Sequence, residues 1–222
     1  MASSDYGYFG IPIDGRWSLD DLYRFPRAFE QVYFALDAIL PSADNEVEER
    51  VERAFRAFPW QGGYSAVNFY NQLKVATPIK ERPRVASIQY SSPGWIELTL
   101  YMSNALALCF VVNRVAGSIE RCNRIYNSII TDLMKRKLLR IELEKAKNEL
   151  SRDDMQLVED SARHMSTILG LPSPQAVHER TANPLISLKI LLSIFRRVRI
   201  LADYQLKGKA DFSRELDENR LR

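Results

Sequence analysis

The stretch that decides the fold is LTLYMSNALALCFVV, residues 98–112, because its fifteen residues carry no formal charge. A transmembrane helix needs about twenty predominantly apolar residues. This stretch is shorter, contains Asn104, and lies between Glu97 and Arg114, which are costly to place in lipid. We therefore interpret residues 98–112 as a central helix of a soluble helical protein. Membrane association through the same apolar helix is the alternative.

The helical pattern around this stretch extends over residues 95–150. Ser92-Pro93 has the form of an N-cap followed by proline at the first helical position, and Gly117-Ser118 predicts a kink. Beyond the kink, apolar residues recur on one sector at about 100° per residue. The spacing predicts a long kinked arm whose amphipathic character weakens at 135–137, and whose charged helix continues over 138–150.

Two strands are predicted outside this arm. Arg84–Tyr90 is the better candidate, with Ala86, Ile88 and Tyr90 on one face. Tyr6–Ile13 is a second candidate, and we expect it to pair with the first. Because a two-stranded ribbon is marginal alone, it should pack on helices.

Capping signals locate the other helices. Pro26 begins an amphipathic pattern that Pro41 closes, and Ser18-x-x-Asp21 suggests a short capped turn before it. Three further signals precede predicted helices: Ser151 to Asp154, with its helix ending near Gly170; Ser173-Pro174; and Asn183-Pro184, whose helix is apolar nearly all round to Phe195.

The predicted fold class is mostly α with a minor β-ribbon (α+β), in which a long kinked central helix packs with several shorter helices. Of 23 aromatic residues, 15 fall in residues 1–70. This asymmetry predicts an aromatic-rich N-terminal subdomain over 1–83, and a strand plus helical core over 84–206 that includes the arm 95–150. Residues 207–222 are predicted to form a flexible tail.

Composition and charge narrow the functional classes. With 46% hydrophobic and 27% charged residues, the 222-residue chain is neither a disordered tail nor a disulfide scaffold. Its net charge of +3 does not by itself indicate a nucleic-acid or membrane partner. No secretory signal is visible, and Cys109 and Cys122 lie about 20 Å apart if they share one helix, too far for a disulfide. We expect a cytoplasmic protein, with peripheral membrane association left open.

No motif indicates a catalytic, cofactor-binding or metal-binding residue. The two histidines, His164 and His178, and the two cysteines lack the close spacing of zinc ligands. Walker A, dinucleotide-binding and HExxH motifs are absent from the sequence. The sequence therefore favours a non-enzymatic role, although enzymatic activity is left uncertain.

The principal functional hypothesis is an interaction or assembly protein that uses its amphipathic long helix. The predicted interaction face consists of Val115, Ile119, Tyr126, Ile129, Ile130 and Leu133. It would contact a partner protein or a second copy, giving a homo-oligomer. An internal core face would show the same periodicity.

A further alternative is nucleic-acid binding through basic side chains. Residues 114–147 carry nine Lys or Arg against four acidic residues, and a basic helix face can neutralise phosphates in a salt-sensitive way. The interspersed acids favour an ordinary solvated face instead. The possible contact face consists of Arg114, Arg121, Arg124, Lys135, Arg136 and Lys137.

The segment from Ile88 to Leu98, Ile-Gln-Tyr-Ser-Ser-Pro-Gly-Trp-Ile-Glu-Leu, resembles a pattern in small uncharacterised bacterial proteins. In those proteins, a strand ending in Tyr-x-Ser-Pro runs into a helix opening with Ile-Glu-Leu. The likeness covers about a dozen of the 222 residues. It implies a strand-to-helix corner and a bacterial cytoplasmic origin, and no activity accompanies it.

Overall fold

Helices dominate the structure, a computed structural model that describes residues 6–40, 44–57, 63–140, 150–171 and 174–213. The predicted class, mostly α with a minor β component, is confirmed. The strands are β1 (Tyr6–Ile13), β2 (Arg84–Gln89) and β3 (Gly94–Tyr101). The helices within the described ranges are α1 (Leu19–Ile39), α2 (Asn45–Ala57), α3 (Gly63–Ala76), α4 (Met102–Ala116), α5 (Ile119–Lys135), α6 (Arg152–Leu169), α7 (Pro174–Thr181) and α8 (Pro184–Leu206).

The sheet has the order β1-β3-β2, with β3 antiparallel to both neighbours. Both predicted strands form, but they pair with β3 rather than with each other. The prediction of helix from Trp95 is wrong over the residues of β3. Ile96, Leu98 and Leu100 are buried and alternate with partly exposed residues, which is the two-residue period of a strand with one covered face.

Ser92-Pro93 does not cap a helix. Its peptide bond is cis, and it lies in the turn that joins β2 to β3. The Ser92 hydroxyl donates a hydrogen bond to Asp14. A Cβ at Gly94 would collide with the carbonyl oxygens of Gln89 and Ser91. The corner suggested by the bacterial resemblance is therefore a hairpin turn between two strands.

The kink predicted at Gly117-Ser118 is confirmed, since the axes of α4 and α5 differ by 88° there. Over its described residues 95–140, the arm consequently contains a strand and two helices rather than one long helix. Helix α5 ends at Lys135, and a short 3-10 turn follows over Leu138–Arg140. The remainder of the predicted charged helix, residues 141–149, lies outside the described ranges.

Helix α1 begins after Ser18, which forms a complete capping box with Asp21. The Asp21 amide donates to Ser18 Oγ (3.1 Å), and the Ser18 amide donates to Asp21 Oδ2 (2.8 Å). The helix thus starts well before the predicted start, and Pro26 lies inside it. A proline inside a helix removes one amide donor and its ring crowds the carbonyl four residues before it. The capping box at Ser18 and the buried residues after Pro26 outweigh that cost.

Asp21 also contacts the end of α8 and the segment that follows it. Its carboxylate accepts hydrogen bonds from Tyr204 Oη (2.8 Å), near the end of α8, and from Lys209 Nζ (2.8 Å). These donors hold the pKa of Asp21 well below its usual range, the Lys209 ammonium most strongly. The start of α1 is therefore fastened to the end of α8.

The core is continuous across the predicted subdomain boundary at residue 83. Helix α8 is buried along most of its length and packs on α1, α4, α6 and α7. Trp17, from the N-terminal segment, stacks on Tyr204, and their ring centroids are 5.4 Å apart. Strand β1 likewise shares one sheet with β3.

The described part of the predicted tail packs on this core. Ala210 forms a β-bridge with Ile13, and the Asp211 amide donates to the Pro12 carbonyl (3.0 Å). Phe212 is buried and lies against Phe25, with ring centroids 5.9 Å apart. Residues 207–213 therefore include a short extension of the sheet edge at Ala210 and a side chain buried in the core at Phe212. Residues 214–222 lie outside the described ranges.

Asn104, a buried polar residue within the charge-free stretch 98–112, anchors α4 to α1. Its Nδ2 donates to Asp37 Oδ1 at 2.7 Å. Burial raises the pKa of Asp37 despite this hydrogen bond. Asp37 also lies in the last turn of α1, where the helix dipole disfavours negative charge.

We predict that Asp21→Asn destabilises the protein by about 1 kcal/mol at neutral pH, because it weakens the capping box and removes the ion pair with Lys209. The folded-state pKa of Asp21 is lowered, so the wild-type advantage is complete above the unfolded-state pKa and is lost as the pH falls through the folded-state pKa. Urea unfolding at several pH values measures this. Asp20→Asn, at an exposed pair with Arg24, is the control. An equal effect of the two substitutions would contradict the prediction.

Asp37→Asn should change stability in the opposite direction, making the protein more stable. The raised pKa of Asp37 means that ionisation costs stability, so wild-type stability declines as the pH rises from the unfolded-state pKa through the folded-state pKa. The substituted amide keeps an oxygen acceptor for Asn104 and carries no charge. The variant should therefore unfold at higher urea concentration than wild type at pH 7, and the difference should shrink in acid. Lower stability at pH 7 would show that the carboxylate charge is compensated.

Candidate functional site

The predicted interaction face on α5 lies against this chain's own core. Val115 and Leu133 are fully buried, and Tyr126 and Ile129 are buried as well. Ile119 and Ile130 are half-buried and pack on the same cluster. Tyr126 stacks on Phe195 of α8 with ring centroids 5.1 Å apart. The amphipathic stripe is thus packed within the monomer.

We predict that Leu133→Asp destabilises the monomer by more than about 3 kcal/mol, because it places an unpaired carboxylate in a fully buried position. The neighbouring Met134→Asp, at a side chain that is 62% exposed, should unfold as wild type does. Urea unfolding followed by circular dichroism compares the two. A folded Leu133→Asp monomer would show that this face serves association rather than the core.

The predicted basic face is divided among different contacts. Arg114 Nε donates to the Thr167 carbonyl (3.1 Å), and Arg136 pairs with Asp154 (2.7 Å), so both fasten α6. Within the described ranges, Arg121 and Arg124 are exposed and make no hydrogen bond or ion pair, Lys135 lies 4.0 Å from Asp132, and Lys137 is exposed in the turn after α5. The basic residues 145 and 147 lie outside those ranges.

The charge-free stretch 98–112 is divided between β3 and α4. Within the described ranges, no single helix has both the length and the apolar composition to cross a bilayer, and α4 and α5 meet that criterion only when combined across their 88° bend. Seven of its fifteen residues are buried in the monomer and four are exposed. The exposed ones include the large apolar side chains of Leu106 and Phe110, at 45% and 55%.

The cysteines and histidines are separated in space. Cys122 is buried with its Sγ 3.4 Å from Ser118 Oγ, whereas Cys109 is half-buried, and the two thiols are not joined by a disulfide. His164 and His178 are exposed. Among the described residues, no three Cys, His, Asp or Glu side chains are placed to hold a metal ion.

A cleft of about 260 Å³ opens between α6, α7 and the start of α8. Arg163 there pairs with Asp160 (3.2 Å), and the Ser187 hydroxyl is bound to Thr181 and the Asn183 carbonyl. No hydrogen bond between described residues joins the His178 ring to a hydroxyl or carboxylate. The described part of the cleft therefore lacks a coupled nucleophile and base. It is lined by Glu159, Ala162, Arg163, Gln175, His178, Pro184 and Ser187.

Strand β2 presents an unusual surface, because all six of its residues are exposed. Val85 pairs with Leu98 and Ile88 pairs with Ile96. Opposite residues in an antiparallel pair project to the same face. Leu98 and Ile96 are only 7% and 5% exposed, whereas Val85 and Ile88 are 58% and 55% exposed. The apolar face of the sheet therefore extends beyond the helices that cover it.

A β-bulge at Ala86 produces this arrangement. The register shifts between Val85 and Ser87, so Val85 and Ile88 share a face although they are three residues apart. The prediction that Ala86, Ile88 and Tyr90 share a face is corrected accordingly. Tyr90 follows the strand and accepts a hydrogen bond from the Trp17 amide (3.1 Å). Strict alternation over 84–90 could not reveal the bulge.

The two edges of the sheet differ. Near the end of β1, residues 209–211 approach its outer edge, where the Asp14 amide donates to the Lys209 carbonyl (3.0 Å). In the described part of the chain, no segment pairs with the outer edge of β2. An edge strand with an uncovered apolar face is a template for another strand. We call Arg84–Gln89, with its outer edge and the exposed Val85 and Ile88, the β2 edge.

Comparison with known proteins adds no functional assignment, because no protein-family model, curated protein or solved structure matches the chain. The β2 edge is therefore judged on its geometry alone.

Proposed function

We propose that the protein is a non-enzymatic assembly protein of the cytoplasm that self-associates through the β2 edge. The observation that carries the proposal is the exposure of Val85 and Ile88 on the same sheet face as buried Leu98 and Ile96. Burial of apolar area is the principal driving force for association. The reduced thiols of Cys109 and Cys122 fit a reducing compartment.

The distribution of side chains on the two faces of β2 favours a second copy of this chain as the strand that pairs with the β2 edge. In an antiparallel pair around a two-fold axis, opposite residues must share a face. Because of the bulge at Ala86, Val85 of one copy can lie opposite Ile88 of the other, and Arg84 opposite Gln89. Shifting the register by one residue would pair an inner-face residue with an outer-face residue. In this register the two apolar side chains of one copy meet those of the other on the same face.

The positions of the charged side chains on β2 are compatible with the same register. Arg84 of each copy meets a neutral Gln89, and the two Arg84 side chains lie at opposite ends of the paired strands. A parallel arrangement would place the two arginines side by side, which is unfavourable. Because six residues per strand form a short contact, the interface should belong to the weak class, below about 1,200 Å² of buried surface.

We predict that wild type shows a concentration-dependent monomer–dimer equilibrium in sedimentation velocity, and that Ile88→Asp shifts it to monomer. The new carboxylate would be desolvated in the paired sheet, but Ile88 is exposed in the monomer, so folding should persist. Ile79→Asp, at a 70% exposed residue outside the sheet, is the matched control and should dimerise as wild type does. A wild-type chain that remains monomeric throughout would overturn the proposal. A dimer that survives Ile88→Asp would move the interface elsewhere.

Cross-linking tests the register itself. In a background lacking Cys109 and Cys122, mixed Val85→Cys and Ile88→Cys chains should form a disulfide under mild oxidation, because opposite Cα atoms lie about 4.5–5.5 Å apart. Val85→Cys alone should not cross-link, since its counterpart in the second copy lies about three residues away along the pair. Efficient cross-linking of Val85→Cys alone would contradict this register. If the chain does not dimerise and β2 pairs with an extended peptide of another protein, that peptide and not a second copy is the partner of the β2 edge.

A further inference from the structure

The cleft between α6, α7 and the start of α8 gathers polar side chains from three helices around one cavity. Glu159 and Arg163 line it from α6 and lie one turn apart, and Gln175 and His178 line it from α7 at a similar spacing. Ser187 lines it from α8 and is only 2% exposed. The cleft thus reaches from exposed charged side chains to a buried hydroxyl.

The size and the apolar part of the cleft limit what it can hold. Its volume is about 260 Å³, below the roughly 300–1,000 Å³ of sites for drug-sized ligands. Ala162, which is buried, and Pro184, which is half-buried, supply apolar lining. The cleft therefore suits a small molecule with a short apolar part and one or two polar groups.

The carboxylate of Glu159 lines the cleft without a partner among the described residues. Glu159 lies one turn before Arg163, which is the order and spacing at which an acidic and a basic side chain commonly pair on a helix. Arg163 pairs with Asp160 instead (3.2 Å), and Glu159 makes no side-chain hydrogen bond or ion pair within the described ranges. Because Asp160 offsets the charge of Arg163, the negative charge of Glu159 is the one left for a ligand to neutralise in the described lining.

Hydrogen-bond acceptors face the cleft from the other two helices. The ring of His178 makes no hydrogen bond within the described part of the chain, and a neutral imidazole has one acceptor nitrogen. The Ser187 hydroxyl donates to the Asn183 carbonyl (2.9 Å) and shares a hydrogen bond with Thr181 (2.6 Å). A hydroxyl oxygen has two lone pairs, so Ser187 keeps one acceptor position.

This set of acceptors suits an ammonium group better than a metal ion. Among the described residues, no third Cys, His, Asp or Glu side chain joins Glu159 and His178 to complete a metal site. An ammonium instead needs acceptors of any chemical type, because it carries three N–H donors and no acceptor. A carboxylate, an imidazole nitrogen and a hydroxyl oxygen, each from a different helix, meet that requirement.

We propose that this cleft binds the primary ammonium group of a small amine. Glu159 neutralises its charge, His178 and Ser187 accept its remaining hydrogen bonds, and Ala162 and Pro184 pack against its alkyl chain. The cleft lies on α6, α7 and α8, whereas the proposed self-association uses β2. The proposal therefore goes beyond the assembly function and does not depend on it.

n-Butylamine is the probe, because it consists of one primary ammonium and a short alkyl chain. Titration of the full-length, ¹⁵N-labelled protein at pH 7 and about 0.15 M salt, where weak surface attraction is screened, should shift backbone amide signals around the cleft. We expect a dissociation constant between about 10 μM and 10 mM, since so small a ligand has limited binding energy. 1-Butanol, which has the same chain and no charge, should bind at least about tenfold more weakly.

Glu159→Gln keeps the shape of the side chain and removes its charge. It should weaken n-butylamine binding by about tenfold to a hundredfold, because a hydrogen bond to a charged group is lost. Glu179→Gln is the matched control, since Glu179 is an exposed glutamate next to His178 that does not line the cleft. It should bind as wild type does. Both substitutions are at exposed positions, so unchanged melting temperatures should show that each variant is folded.

Three results would overturn the proposal: no saturable shift with wild type at the upper end of the expected range, equal binding of n-butylamine and 1-butanol, or an equal loss in Glu159→Gln and Glu179→Gln. A free amine and the lysine side chain of a peptide share the same chemistry, and Nα-acetyl-lysine amide distinguishes these sources. Tighter binding of that compound than of n-butylamine would support the site with a peptide lysine as its ligand. Equal or weaker binding would support it with a free amine.

Discussion

The enclosure of α8 is the constraint on which the rest of the structure depends. From Pro184 to Phe195 its side chains are apolar around nearly the whole circumference, and almost all of them are buried. Such a helix can be removed from water only if neighbours surround it. Helices α1, α4, α6 and α7 provide those neighbours, and α5 contributes Tyr126 against Phe195. Asp21 fastens the far end of the helix to α1.

The surfaces left for function are those that the enclosure does not use. The helices cover β1 and β3, and β2 projects beyond them with Val85 and Ile88 uncovered. The apolar part of α8 ends at Phe195, and Arg196 and Arg197 follow directly. The helix emerges from the core at that point, and its polar side chains reach a boundary between burial and solvent.

The sequence predicted the features that depend on neighbours within a few residues. The capping pairs at Ser18 and Ser151, the proline start at Pro184 and the bend at Gly117-Ser118 are confirmed. Gly170 ends α6 in a left-handed conformation, as its position predicted. Each of these signals comes from a local hydrogen bond or a local backbone preference. They can be recognised in the sequence without knowledge of the rest of the fold.

Strand β3 was missed because its local signals fit two structures. Ser92-Pro93 can begin a helix or occupy a turn, and the inward residues Ile96, Leu98 and Leu100 run directly into the apolar helix α4. Residues 94–101 form a strand rather than a helix because they pair on both sides, with Tyr6–Ile13 and with Arg84–Gln89. Those partners lie in other parts of the sequence. The hydrogen bonds of the sheet therefore overrode a local helical pattern.

By itself, the sequence determined the helical class, two of the three strands in the described ranges, several helix ends and the apolar circumference of α8. Tertiary structure alone decided that the apolar stripe on α5 faces the monomer's own core and that the helices leave the apolar side chains of β2 exposed. It also decided that no carboxylate of the described residues pairs with Arg197. The physical reason is that the hydrophobic effect is non-directional. Periodicity can specify that a face is buried, but the identity of what covers it depends on the packing of the whole chain.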